Sequence, residues 1–137
     1  MGRVRFAVFY LLAGLAAFAL QILVTNGSAE AVPTLGASGA IAGVLGGYIL
    51  LWPRARVLTV IFIIIFFTIV EIPAVFVLGF WFVEQALFGA ASLSDPTGGG
   101  GGVAYFAHIG GFAFGLATIR LFATRVKRTP TSRFPVY

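Results

Sequence analysis

Arginine and lysine are confined to a few short stretches of this chain, and long charge-free apolar runs lie between them. Phe6 to Val24 is one such run, preceded by Arg3 and Arg5. Gly36 to Trp52 is a second, closed by Pro53 and Arg54. Apolar sequence resumes at Val57 and reaches about Ala90, interrupted by Glu71, Pro73 and Glu84. A last run, Val103 to Ile119, ends at Arg120. A bilayer core takes about 20 helical residues, so runs of this length read as membrane-crossing helices. Composition agrees: 60% of residues are hydrophobic and 9% are charged, against about 25% charged in soluble domains. A chain this apolar is solvated by lipid. The absence of cysteine excludes a disulfide framework and a thiolate metal site. The first run leads into further apolar segments rather than a soluble domain, which argues against a cleaved signal peptide.

The expected fold is an all-α polytopic membrane protein with four transmembrane helices, at about 6–24, 36–52, 73–90 and 103–123. The third region is too long for one ordinary crossing. Pro73 suits a first helical turn, so the crossing is placed at 73–90. The preceding 57–70, "VLTVIFIIIFFTIV", is rich in β-branched residues and is expected to be a membrane-embedded or interfacial approach, partly extended. Unpaired backbone in lipid is costly, so such a segment needs protein against it.

With four crossings all nine basic residues fall on one side: Arg3, Arg5, Arg54, Arg56, Arg120, Arg125, Lys127, Arg128 and Arg133. The opposite loops, 25–35 and 91–102, carry only Glu30 and Asp95. This positive-inside pattern places both termini in the cytoplasm. The net charge of +5 therefore reads as topology rather than as a nucleic-acid surface. The chain is expected to be one domain over 1–123, followed by a basic cytoplasmic tail, 124–137, that anchors near anionic lipid. The glycine run in loop 91–102 is either a lid or a plain connector.

In "TLGASGAIAGVLGG" (34–47), Gly39, Gly43 and Gly47 make a ridge of small residues suited to close helix packing. Gly111 and Gly115 make a second ridge within "AHIGGFAFG" (107–115). The two helices run parallel, so their ridges can meet. Ser38 lies one residue before its ridge and His108 about one turn before the other. Packed together, they share one depth in the outer half of the membrane. His108 is the only histidine, and an imidazole inside a span is a functional signal. Two readings stay open on these residues alone. Ser38 is a packing residue, and His108 a proton relay, metal ligand or interhelical hydrogen-bond donor. Otherwise they form a dyad in which His108 activates the Ser38 hydroxyl, with helix-start N–H groups near Gly36 supporting an oxyanion. A metal centre is disfavoured, with no second histidine and no cysteine.

These motifs resemble the rhomboid family of intramembrane serine proteases. "GASG" (36–39) is similar to its Gly-x-Ser-Gly nucleophile motif, and "AHIGGFAFG" to its histidine helix. "PRARV" (53–57), "GFWFVEQ" (79–85) and "GRVRFAVFYLLAGLAA" (2–17) resemble bacterial members. The resemblance runs from residue 2 to about 123 and covers the last four helices of a six-helix core. It implies a cofactor-free endopeptidase with Ser38 as nucleophile and His108 as general base and acid. Gly36, Ser38 and Gly39 form the motif around the oxyanion site. The implied substrates are transmembrane proteins in a bacterial or archaeal cell membrane. The family's His-x-x-x-Asn motif, which helps form the oxyanion hole, is not in this sequence. Ala42 stands where some relatives have a tyrosine that packs on the histidine. The chain is therefore expected to be truncated and weakly active or inactive. Two alternatives are a non-catalytic rhomboid-like protein that binds transmembrane clients, and a transporter subunit with Glu71, Glu84 and His108 as a proton path.

Overall fold

A computed structural model describes residues 1–25, 36–94 and 103–124 of the chain. The loop 25–35 beyond Thr25, the glycine run and the tail from 125 lie outside the described residues. The described residues form four helices and one hairpin: α1 (Arg3–Thr25), α2 (Ser38–Leu51), β1 (Arg56–Ile63), β2 (Phe66–Pro73), α3 (Ala74–Ser94) and α4 (Tyr105–Phe122). α1, α3 and α4 are each long and apolar enough to cross a membrane. The chain is a helical membrane bundle carrying one two-stranded exception.

The bundle is inside-out relative to a water-soluble core. Its buried positions are mostly small, such as Ala13, Ala17, Ala40, Ala42 and Ala107, with Phe9, Phe112 and Ile119 among the few large ones. Leu11, Leu15, Leu23, Phe80 and Leu121 point outward. Lipid tails solvate leucine as well as another helix does, so close backbone approach holds the helices together. On α1 the buried Phe9, Ala13 and Ala17 recur every four residues, giving one smooth face.

α4 is the hub, packed against α1, α2 and α3. Gly39 faces Ala17 and Gly43 faces Ala13, so α1 and α2 run antiparallel. Gly39 meets Ala107, Gly43 meets Gly111 and Gly47 meets Ile119, so α2 and α4 run parallel. Gly89 lies against Tyr105, and Phe82 stacks on Phe112 with ring centroids 4.7 Å apart, so α3 runs antiparallel to α4. These directions put Arg3, Arg5, Arg54 and Arg120 at one end of the bundle.

α2 has 14 residues, which at 1.5 Å per residue is about 21 Å. That is about 9 Å short of a ~30 Å hydrocarbon core. Trp52 closes the helix by donating its N–H to the Tyr48 carbonyl, and Pro53 cannot extend it. A helix of this length anchored at an interface by its Trp52–Arg54 end would begin inside the membrane.

The boundaries differ from the sequence expectation: α2 (Ser38–Leu51) and α4 (Tyr105–Phe122) are shorter than the expected 36–52 and 103–123, and α2 falls below spanning length. α1 starts at Arg3 and α3 extends to Ser94, into the segment read as loop. Pro73 ends β2 rather than opening α3, because a strand end tolerates a residue with no N–H to donate. Residues 56–73, of which 57–70 was the expected approach, form an antiparallel hairpin paired from Arg56↔Pro73 to Ile63↔Phe66. Valine, isoleucine, threonine and phenylalanine dominate it, and these favour extended backbone. The hairpin base is clamped to the helices. Ala74 N–H donates to the Ala55 carbonyl at 2.7 Å and Val75 N–H to the Pro53 carbonyl at 3.1 Å.

Candidate active site

Ser38 is the first residue of α2, and the chain reaches it through Gly36 at φ +136°. Only glycine adopts that backbone conformation without strain. Ala37 provides no side-chain cap. The first helical amide with a partner is Ile41, donating to the Ala37 carbonyl at 2.9 Å. The N–H groups of Ser38, Gly39 and Ala40 have no acceptor among the described residues. An uncapped helix start gathers free donors and the positive end of the helix dipole. Ser38 itself is exposed.

His108 sits in the first turn of α4, immediately after Ala107, whose carbonyl lies 3.3 Å from where a Gly39 Cβ would be. Ser38 and His108 thus flank one closely packed pair, Gly39 and Ala107, at a single level of the bundle. They share no hydrogen bond. The α4 start is held in place from α1, where Gln21 Oε1 accepts the Ala107 N–H at 3.0 Å.

The histidine's own partner is on α3. Gln85 Oε1 lies 2.7 Å from His108 Nδ1, and Gln85 is the one polar side chain buried in the described core. A carbonyl oxygen only accepts, so Nδ1 is the donor in this pairing, and a neutral ring bonded this way has its lone pair on Nε2. Trp81, one turn earlier on α3, lies against the imidazole with ring centroids 5.6 Å apart. An amide and an indole therefore flank the ring. Sequence reasoning passed over Gln85 in favour of its charged neighbour Glu84. The structure shows why Gln85 matters: Ala74, Gln85 and Gly89 are the buried positions of α3, and they fall on one helical face.

The glycine ridges meet as backbone on backbone. A Cβ at Gly111 would collide with the Gly39 carbonyl, and one at Gly115 with the Gly43 carbonyl. Gly46, outside the expected ridge, lies against the Phe112 carbonyl. The residues of the imagined proton path are not assembled. Glu71 sits on the hairpin in an exposed ion pair with Arg56, at 2.8 Å, and the described partner of His108 is Gln85, not Glu84. No cluster of three metal-ligating side chains occurs among the described residues.

The described site thus pairs a free-donor helix start at Ser38 with an imidazole bonded to Gln85 on the neighbouring level of α4. The rhomboid domain family matches residues 1–125. The chain belongs to the rhomboid family. No curated protein matches it, and no solved structure does. Rhomboid proteins are integral to the membrane, and the family is generally one of serine proteases acting on transmembrane substrates within the bilayer.

Proposed function

We propose that this rhomboid-family chain is an intramembrane serine endopeptidase whose nucleophile is Ser38 and whose base is His108. The observation that carries this reading is the Gln85 bond to Nδ1, which leaves Nε2 of a membrane-level histidine free to take a proton. In the reaction His108 Nε2 removes the Ser38 hydroxyl proton as Oγ attacks a substrate carbonyl. The oxyanion is met by free α2 donors, the Ser38 N–H first. His108 returns the proton to the leaving amine, and water then hydrolyses the acyl-enzyme by the same steps reversed. Substrates are membrane proteins with a scissile bond in or near a transmembrane segment.

These 137 residues hold one histidine, so they supply no His-x-x-x-Asn donors. Loss of one oxyanion donor costs about 10²–10³ in rate in a soluble serine protease. Hydrolysis by this chain alone is expected to be weak. A second reading, binding of transmembrane clients without cleavage, is favoured by the missing Ser38–His108 hydrogen bond.

Purified chain treated with a fluorophosphonate serine probe separates the two. Labelling is expected in the parent and absent from Ser38→Ala. A folded parent that takes up no probe would leave the non-catalytic reading standing.

A further inference from the structure

We propose that the β1–β2 hairpin is a membrane-dipping element, lying obliquely at the basic end of the bundle and inserting its tip into the leaflet. A hairpin that meets water on one side alternates apolar and polar residues along each strand. This one does not. One face carries Leu58, Val60, Phe62, Phe67 and Ile69, and the other Val57, Ile61, Ile63, Phe66, Val70 and Ile72. Its polarity changes along its length instead. The charged residues Arg54, Arg56 and Glu71 are at the base, and the tip from Phe62 to Phe67 is wholly apolar and exposed.

The turn makes the same point. Two-residue hairpin turns are normally built with asparagine and glycine, because a central residue needs positive φ. Here the turn is Ile64–Ile65, with Ile64 at φ +58°. A β-branched residue there is strained. These two side chains are 96% and 83% exposed, so protein packing does not repay that strain. Lipid contact does.

Depth is limited by the backbone. Each strand has one unpaired edge, and unpaired N–H and C=O groups are not tolerated in the hydrocarbon centre. Eight residues per strand span about 27 Å, longer than one ~15 Å half of the core. With its base at the interface the hairpin therefore lies oblique to the bilayer, and the tip alone enters, by the 5–10 Å typical of interfacial elements. Thr59 and Thr68 sit behind it. Thr59 Oγ1 donates to the Val57 carbonyl at 3.3 Å. At the base a cleft of about 560 Å³ between hairpin and α3 is lined by Arg54, Arg56, Glu71, Pro73, Val75 and Phe76. Arg56 is held by Glu71, so Arg54 is the cation that, beside apolar side chains, suits an anionic headgroup over the start of its acyl chains.

The chain has no cysteine, so one introduced thiol labels one site. Ile64→Cys, Ile65→Cys and Arg54→Cys variants of the 137-residue chain, each carrying an environment-sensitive fluorophore, are reconstituted into vesicles containing anionic lipid. Blue-shifted emission is expected at 64 and 65, with quenching by lipids bearing a shallow acyl-chain nitroxide and little quenching by aqueous iodide. Arg54→Cys is expected to show the reverse. Iodide quenching at both tip sites equal to that at Arg54→Cys would overturn the proposal. So would tip sites shielded from both quenchers, since protein rather than lipid would then cover them.

Discussion

Gly115→Ala is expected to destabilise the bundle by ~3 kcal/mol or more, the upper end of what overpacking costs. The added Cβ would meet the carbonyl of Gly43. That carbonyl belongs to a helix backbone and has no rotamer to escape into, so relief comes only from moving α2 away from α4. Moving it weakens the contacts that replace hydrophobic burial in lipid, where helices associate by close packing. It also pulls Ser38 away from His108, because each sits at the start of one of these two helices. Gly79→Ala is the matched control. Nothing lies within 4 Å of a Cβ there, so the variant is expected to be neutral or to gain up to ~1 kcal/mol from helix propensity. Reversible unfolding in mixed micelles, followed by helical circular dichroism, measures both. A Gly115→Ala transition coincident with the parent's would refute the backbone contact between α2 and α4.

The helices were legible because charge-free length is a direct physical requirement for crossing a bilayer, and the runs closing at Arg54 and Arg120 state it openly. The meeting of α2 with α4 was legible from glycine spacing, since only small residues allow so close an approach. The hairpin was not. A short apolar run has no period that separates a strand from a buried helix, and Pro73 fits a helix start as well as a strand end. The β-branched content of 57–70 pointed the right way, but it fixed neither register nor turn. The site was half legible. Ser38 and His108 stand out because hydroxyl and imidazole are rare in such sequence. Gln85 and Gln21 do not, because an uncharged amide becomes meaningful only once the facing helix is known. Both turn out to bind α4, one at the imidazole and one at the Ala107 amide.

His108→Ala is expected to lower the rate of Ser38 acylation by about 10²–10⁴, the usual value of a positioned general base. Gln85→Leu is the sharper experiment. Leucine fills similar space but leaves the Nδ1 hydrogen buried without an acceptor, which costs about 1–3 kcal/mol. If that cost falls on the oriented, base-competent ring, kcat drops by roughly 10- to 100-fold with KM little changed. Gln85→Glu keeps an oxygen acceptor at the same atom and is expected to retain most of the activity that leucine loses. Probe labelling kinetics and cleavage of a transmembrane reporter read the same order: parent and Gln85→Glu fast, Gln85→Leu slow, His108→Ala slowest. A residue that merely packed α3 against α4 would not produce that order, because leucine packs there at least as well as glutamate. Equal kcat in parent and Gln85→Leu would show that the amide does not set the histidine, and Trp81 would then be left as its orienting neighbour.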